Sequence, residues 1–228
     1  DVHPFRKQYY AVGAKAIGWA RRNTTPGAGA GPKKRGIGMA HGNWYVLVRE
    51  AVAAEVRIHR DGSVELFHGA QDLGTGIRTA LAVIAAEELG LGPADITVHV
   101  GDTRLPPGPT SGGSVTTNSS GPAARLAAHQ ARARLAALAA PLLRATPSEL
   151  DFVGGQIVVA ADPARKVSFR EAAQKMPGEV IACLADRKRQ FETVRQDLAA
   201  TQFAEVEVDV ETGVIRVLKM VGVSNCGT

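Results

Sequence analysis

Two glycine-rich segments of this chain combine exposed backbone with hydroxyl side chains. They are residues 69–76 (GAQDLGTG) and residues 110–117 (TSGGSVTT), and each precedes an Ala-rich segment with helical spacing. The first N–H groups of a helix have no partner within the helix and lie at the positive end of its dipole. Glycine lets an anionic group come close to such backbone. The pair therefore predicts a phosphate-bearing ligand held from two sides by bare N–H groups.

Each segment also has a simpler interpretation. Residues 74–76 (GTG) are followed by IRT, so the third glycine of the dinucleotide fingerprint is missing, and no Gly-Lys-Ser/Thr of a Walker loop follows. Taken alone, the first segment is equally typical of a tight turn and the second of a flexible connector. Their shared position before helices favours the ligand site. Four hydroxyl groups there can donate hydrogen bonds: Thr75, Ser114, Thr116 and Thr117.

Other reactive residue types give no catalytic or metal pattern. The six histidines lack metal-ligand spacing, and the two cysteines, Cys183 and Cys226, form no CxxC motif, so neither a structural zinc site nor a protein-bound iron–sulfur cluster is expected. A disulfide between the cysteines stays open. No nucleophile elbow occurs. Trp44 and Tyr45 are candidates either for the core or for ligand contact.

Hydrophobic periodicity predicts the elements that position these residues. Helices are expected over residues 5–22, 77–89, about 120–144 with Pro122 in the first turn, and 168–175 with a capping box of Ser168 and Glu171. Strands are expected over residues 35–48, 55–59, 63–66 and 96–100, in a short hairpin through Gly154-Gly155, and in a hairpin of 206–210 with 214–221. The predicted fold class is α+β, with two layers in which helices pack on a mixed sheet with hairpins.

Length and charge set the broad organisation. We expect the 228 residues to divide into a helix and linker (residues 1–32) and an α+β domain (residues 33–228). Residues 1–36 hold eight Lys and Arg residues and one acid, Asp1, in a chain of net charge +5. This basic segment is either a solvated helix face with its linker or a contact for phosphate, nucleic acid or an acidic partner. We expect no nucleic acid, because few aromatic residues accompany the charges, and no membrane span. The choice between bacterial cytoplasm and periplasm stays open.

An ordered set of motifs resembles a known family. The set is GAQDLGTGIRT at residues 69–79, GDT at 101–103, SGGSVTT at 111–117 and GPA at 121–123. It resembles the molybdenum-binding subunit of the xanthine dehydrogenase/aldehyde oxidase family, most closely the bacterial aldehyde-oxidising branch. The likeness extends from residues 34–36 to the final hairpin, residues 206–226.

The resemblance implies a cofactor and its contacts. In this family such loops hold molybdenum on molybdopterin, in bacteria usually as the cytosine dinucleotide. By position, Leu73, Gly74, Thr75 and Gly76 would lie against the pterin and its phosphates, and many members carry Gln in place of Thr75. On the phosphate side of the dinucleotide the corresponding residues are Gly113, Ser114, Thr116 and Thr117. Trp44 or Tyr45 would fall near the substrate pocket.

The resemblance also implies an activity and partners. Family members oxidise aldehydes or aromatic heterocycles with water as the oxygen source and pass electrons to iron–sulfur clusters and FAD on partner subunits. The expected partners are the rest of the molybdenum subunit, an iron–sulfur subunit, an FAD subunit and a small-molecule substrate. No residue here matches the family's catalytic glutamate, so we expect a fragment that is inactive alone. The alternative is a non-catalytic module that binds a nucleotide or phosphate.

Overall fold

The computed structural model describes residues 4–45, 47–49, 51–187 and 197–224. The chain forms two compact units. The first consists of Asp1–Val46 with Arg195–Thr228, and the second of Leu47–Val194. The division that the sequence predicts between residues 32 and 33 falls inside the first unit and stays a prediction about domain organisation.

Helices and strands are nearly balanced among the described residues. The helices are α1 (Pro4–Ile17), α2 (Ile77–Leu89), α3 (Thr116–Leu143) and α4 (Phe169–Ala173). The strands are β1 (Lys33–Tyr45), β2 (Ala53–His59), β3 (Val64–His68), β4 (Ile96–Val100), β5 (Leu150–Val153), β6 (Gln156–Val159), β7 (Asp162–Ser168), β8 (Val180–Asp186), β9 (Asp197–Asp209) and β10 (Ile215–Ser224). Single 3₁₀ turns occur at Trp19–Arg21, Pro93–Asp95 and Pro147–Glu149. The α+β class is confirmed.

The first unit is an antiparallel sheet of order β1-β9-β10 with α1 packed on β9 and β10. Phe203 of β9 is buried under Gly13, and the ring of Trp19 meets it edge-on at 5.8 Å. The helix predicted for residues 5–22 is too long. It ends at Ile17 because Gly18 takes a left-handed conformation with φ of 79°, which stops an α-helix.

The second unit contains a mixed sheet of order β4-β3-β2-β8, in which only β3 and β4 are parallel. A tight turn at Asp61-Gly62 joins β2 to β3, and Gly62 has the positive φ, 88°, that such a turn favours. α2 and α3 cover one face of the sheet. α3 presents a stripe of buried alanines at helical spacing, and their small side chains allow the helix to lie close to the strands: Ala123, Ala124, Ala127, Ala128 and Ala131.

α3 begins four residues earlier than the sequence predicts. The backbone N–H of Ser119 already donates a helical hydrogen bond to the Val115 carbonyl at 3.0 Å. Pro122 therefore lies beyond the first turn rather than within it, and Thr116 and Thr117 belong to the helix. The sequence does not predict the early start, because residues 116–120 are Thr, Asn and Ser, which are weak helix formers.

The remaining elements complete the second unit. β5, β6 and β7 form a small antiparallel sheet. The capping box of α4 is confirmed: the Glu171 N–H donates to Ser168 Oγ at 3.1 Å, and the Ser168 N–H donates to the Glu171 carboxylate at 3.0 Å. Cys183 is buried in β8, whereas Cys226 lies outside the described residues. In the described part of the chain, no helix is long and apolar enough to cross a membrane.

Candidate functional site

The two glycine-rich segments meet because of sheet topology. β3 and β4 are neighbouring parallel strands, and their last residues, His68 and Val100, are paired in register. The chain that leaves β3 forms the first loop, residues 69–76, and the chain that leaves β4 runs into the second loop, residues 110–117. Carboxyl ends of adjacent parallel strands share one edge of a sheet, which is where α/β sheets bind ligands.

Close backbone contact fixes the base of the first loop. The N–H of Gly69 donates to the carbonyl of Pro106 at 2.7 Å. A Cβ on Gly69 would stand only 2.7 Å from that same oxygen, and a Cβ on Gly108 would overlap the backbone of Gly69 and Ala70. Only glycine fits at these two positions, so the first loop and the segment that leads to the second loop are held together.

A side-chain hydrogen bond connects the two loops directly. The Ser111 hydroxyl donates to Gln71 Oε1 at 2.8 Å. The structure thus places the two predicted loops side by side in the second unit. The eight predicted cofactor contacts lie on these loops and at the start of α3; their role in binding stays a prediction.

The entry to α2 is already occupied by a carboxylate of the chain itself. Asp72 Oδ1 accepts hydrogen bonds from the N–H groups of Gly74 at 3.1 Å and Gly76 at 3.4 Å, and Oδ2 accepts from the Arg78 N–H at 3.3 Å. These bonds, first that from Arg78 and then that from Gly74, lower the pKa of Asp72 below its usual value. The expectation of bare N–H groups is therefore wrong for these three residues.

The entry to α3 is different. Its N-cap residue, Val115, has no side-chain oxygen, and no described residue accepts a hydrogen bond from the backbone N–H groups of residues 116–118. Gly113 and Ser114 precede it with φ of 64° and 59°. A positive φ is uncommon for serine and marks a constrained backbone. Of the two helix entries, this one keeps its donors available for an external anion.

The tip of the first loop is open to solvent. Gly74 and Gly76 have φ of 90° and 83°, and a Cβ at either position would meet nothing within 4 Å. Glycine is needed here for backbone conformation, and the space beside it is empty. Thr75 is exposed, and the Leu73 side chain is 68% exposed. An apolar side chain and a hydroxyl therefore project beside the Asp72-capped helix entry.

A buried histidine holds the helix entry of α3 against the sheet. His68 Nδ1 lies 2.7 Å from the Ala53 carbonyl, which can only accept, so Nδ1 donates. Nε2 then accepts from the Ser120 hydroxyl at 2.7 Å. Burial lowers the pKa of His68, which favours this neutral form. Beside it, buried Ser119 accepts from the Arg49 N–H at 2.9 Å.

A second titratable cluster lies elsewhere on the sheet of the second unit. The carboxylate of Glu65 bonds His59 Nε2 and His99 Nε2, each at 2.7 Å, and Phe67 stacks on His99 with ring centroids 4.5 Å apart. Within the described ranges, no group of three His, Cys, Asp or Glu side chains has the geometry to hold a metal ion.

Trp44 and Tyr45 end β1 and belong to the first unit. The Trp44 side chain is 48% exposed, and the Tyr45 side chain lies outside what the structure describes. Their assignment to a substrate pocket stays a prediction.

Sequence reasoning missed four residues that shape the site: Gln71, Asp72, Ser111 and His68. Asp72 had a local signal, since an Asp two residues before a glycine commonly accepts from its N–H. The bond between Gln71 and Ser111 had no local signal, because it joins residues that only the parallel strand pair brings together.

The comparisons with known proteins agree with the motif resemblance. A family model described as a molybdopterin cofactor-binding domain matches residues 12–228. The aldehyde oxidoreductase molybdenum-binding subunit PaoC of Escherichia coli K12 is 30% identical over 95% of this chain and 28% of its own length. The carbon monoxide dehydrogenase large chain of Afipia carboxidovorans is 28% identical over 88% of this chain and 24% of its own length.

A solved structure supports the fold. The chain is similar to quinoline 2-oxidoreductase from Pseudomonas putida 86, with a TM-score of 0.71 and 23% identity over 98% of this chain and 29% of that one. The chain thus spans less than a third of the length of each of these three relatives.

Proposed function

Since this chain belongs to the family of molybdopterin cofactor-binding domains, we propose that the two loops of its second unit hold the cofactor of a molybdenum hydroxylase. The observation that carries the proposal is the meeting of both loops at the carboxyl ends of parallel strands β3 and β4, where the first N–H groups of α3 have no acceptor among the described residues. A relative whose match covers 95% of this chain is named as a molybdenum-binding subunit.

The donor set at the second loop fits a phosphate. Gly113, Ser114, Thr116 and Thr117 combine hydroxyl groups with backbone N–H groups at the positive end of a 28-residue helix, and those of Thr116 and Thr117 have no acceptor among the described residues. We assign these four residues to the phosphates of the cofactor. A dinucleotide form such as molybdopterin cytosine dinucleotide has two linked phosphates, so it can accept more hydrogen bonds from these donors than a form with one phosphate.

The first loop fits an uncharged part of the cofactor. Asp72 occupies the entry to α2 with a negative charge, so a phosphate placed there would meet repulsion. Leu73, Gly74, Thr75 and Gly76 instead offer an apolar side chain, open backbone and one hydroxyl. We assign them to the face and edge of the pterin.

The residues of this chain bind and orient the cofactor. When bound, the cofactor supplies the redox centre at which a substrate is oxidised with water as the oxygen source. No residue here is assigned a catalytic role, and we propose that the catalytic base comes from the rest of a longer molybdenum subunit.

Partners and substrate follow from the relatives and stay proposals. Similar proteins are named as the subunit of a dehydrogenase complex and as the large chain of a dehydrogenase. We propose iron–sulfur and FAD subunits as electron acceptors. The substrate class is aldehydes or aromatic heterocycles, with Trp44 or Tyr45 near the pocket.

Metal and pterin analysis of the native protein tests this function. We expect molybdenum by mass spectrometry and an oxidised-pterin fluorescence signal in a 1:1 ratio with each other. A protein that carries a nucleotide or phosphate but neither molybdenum nor pterin would instead establish the alternative, a non-catalytic phosphate-binding module.

A further inference from the structure

The first unit contains a cleft of about 180 Å³ that the proposed function does not use. It lies between the 3₁₀ turn after α1, the residues that follow that turn, and the start of β1. Three arginines line it, Arg21, Arg22 and Arg35, together with Asn23 and Glu205. We call it the arginine cleft. It gives the basic segment at residues 1–36 a defined place in the fold.

Each guanidinium group in the cleft is held in position by the chain. Arg21 Nη2 donates to the Ile17 carbonyl at 3.0 Å and to Glu205 at 3.1 Å. Arg35 Nε donates to Glu207 at 2.9 Å. Because a guanidinium has five N–H donors, these bonds leave most of the donors of Arg21 and Arg35 for a ligand.

The third arginine is positioned by an aromatic ring. The guanidinium carbon of Arg22 lies 4.8 Å from the centre of the Trp19 ring, and its Nη1 donates to the Trp19 carbonyl at 3.2 Å. Asn23 ties the same stretch to β1 by donating to the Arg35 carbonyl at 3.0 Å. Pre-positioned donors lose less conformational freedom when a ligand binds.

The charges of the cleft are layered. The side chains of Glu205 and Glu207 are only 13% exposed, whereas those of Arg21 and Arg35 are 60% and 62% exposed. The carboxylates therefore lie beneath the guanidinium groups, and their ion pairs keep those groups at the solvent-exposed surface. Three guanidinium groups face two carboxylates, so positive charge is in excess at the surface.

We propose that the arginine cleft binds the phosphoryl group of a small phosphate monoester. A carboxylate offers two oxygens and satisfies one guanidinium fork. A phosphoryl group offers three oxygens and about two negative charges near pH 7, so it can accept from two or three forks at once. The cleft lies in the first unit and the cofactor loops in the second, so either assignment can fail without the other.

Trp19 provides a reporter for the test. The chain has two tryptophans, so Trp44→Phe leaves Trp19 alone beneath Arg22. Inorganic phosphate is titrated into the full chain at constant ionic strength, with chloride as the balancing anion. We expect a saturable change in Trp19 emission and the same dissociation constant by calorimetry, which does not depend on the reporter.

Variants locate the site. Arg22→Gln with Arg35→Gln is expected to weaken phosphate binding about tenfold or more, because two forks are lost. Arg170→Gln, at an exposed arginine of α4 in the second unit, is the control and should bind as the parent does. If circular dichroism shows that the double glutamine variant is unfolded, Arg22→Lys with Arg35→Lys replaces it. That variant keeps the charge, loses the forks, and should still bind several-fold more weakly.

Three results would overturn the proposal. One is the absence of saturable phosphate binding by calorimetry. Another is binding that the cleft variants leave unchanged or that Arg170→Gln weakens equally. The last is acetate binding as tight as phosphate binding, which would show that the cleft does not select a phosphoryl group.

Discussion

At the residue scale, the site is defined by which backbone donors have an acceptor. Asp72 accepts from the entry of α2, whereas the first N–H groups of α3 have no acceptor among the described residues. Two similar glycine-rich segments therefore have different chemistry: the first is capped internally, and the second can take an external anion. Glycine and hydroxyl content alone predicts two equivalent loops, because it leaves out the position of Asp72 two residues before Gly74, from which a carboxylate can accept from the backbone N–H groups that follow.

Asp72→Asn tests the internal cap. The pKa of Asp72 is lowered in the folded state, so the folded state gains stability from its charge above the unfolded pKa of about 3.9 and loses it as the pH falls through the folded pKa. We expect Asp72→Asn to lower the urea midpoint at pH 7, and the difference from the parent to shrink as the pH falls below about 4. Glu87→Gln, on the exposed face of the same helix, controls for the loss of one charge. Equal midpoints for Asp72→Asn and the parent at pH 7 would show that the cap contributes nothing.

His68→Leu tests the buried hydrogen bonds behind the loops. The substitution leaves the Ser120 hydroxyl and the Ala53 carbonyl buried without their partner, which costs about 1–3 kcal/mol. Because burial lowers the pKa of His68, the unfolded chain takes up a proton first as the pH falls below about 6.5, and the parent loses stability toward pH 5. The variant should lack that part of the pH dependence. His129→Gln, at an exposed histidine, is the control.

Urea titrations of His68→Leu and the parent at pH 7 and pH 5 measure both the loss of stability and the change in its pH dependence. An unchanged free energy of unfolding in His68→Leu, with the pH dependence of the parent intact, contradicts the role given to this residue.

At the element scale, one pair of parallel strands creates the site. β3 and β4 end side by side, and the loops that follow them are joined through Gly69, Pro106, Gln71 and Ser111. Local periodicity predicted α2 over residues 77–89, which are its bounds in the structure. It missed the early start of α3. It also predicted a strand only over residues 206–210, because the earlier part of β9, which begins at Asp197, depends on pairing with the distant strand β1. Helix boundaries and non-local strand pairs are decided by tertiary contacts.

Gly69→Ala tests the contact between the loops. A Cβ there would lie 2.7 Å from the Pro106 carbonyl oxygen, so backbone must shift, at a cost of about 1–3 kcal/mol. Gly112→Ala is the matched control, because its Cβ would meet nothing within 4 Å. Chemical denaturation of the three proteins measures the difference. Equal destabilisation by both substitutions would contradict the close approach.

At the scale of the whole molecule, the two units differ in how the chain builds them. Every residue of the main buried cluster lies between Val52 and Ala185, within the second unit. The second unit is one continuous stretch, whereas the first joins both ends of the chain and has β9 as its central strand. The proposed cofactor loops thus stand on the unit that contains the main core.

The second unit should therefore fold alone. We expect residues 47–194 to give a cooperative urea transition by far-ultraviolet circular dichroism, because they keep the whole buried cluster. Residues 1–46 alone should not, because their sheet lacks its central strand. A non-cooperative, featureless titration of residues 47–194 would contradict this division.

A charge placed at the entry of α3 tests whether this helix binds the phosphates of the cofactor. Thr117→Asp puts a carboxylate in the first turn, where it favours the helix but repels a phosphate, and Thr117→Asn has the same shape without the charge. Molybdenum and pterin are measured in the native protein and in both variants. We expect Thr117→Asp to lose most of the molybdenum and the pterin, whereas Thr117→Asn should stay close to the parent. Equal molybdenum and pterin content in Thr117→Asp and the parent would contradict the assignment of the cofactor phosphates to this helix entry.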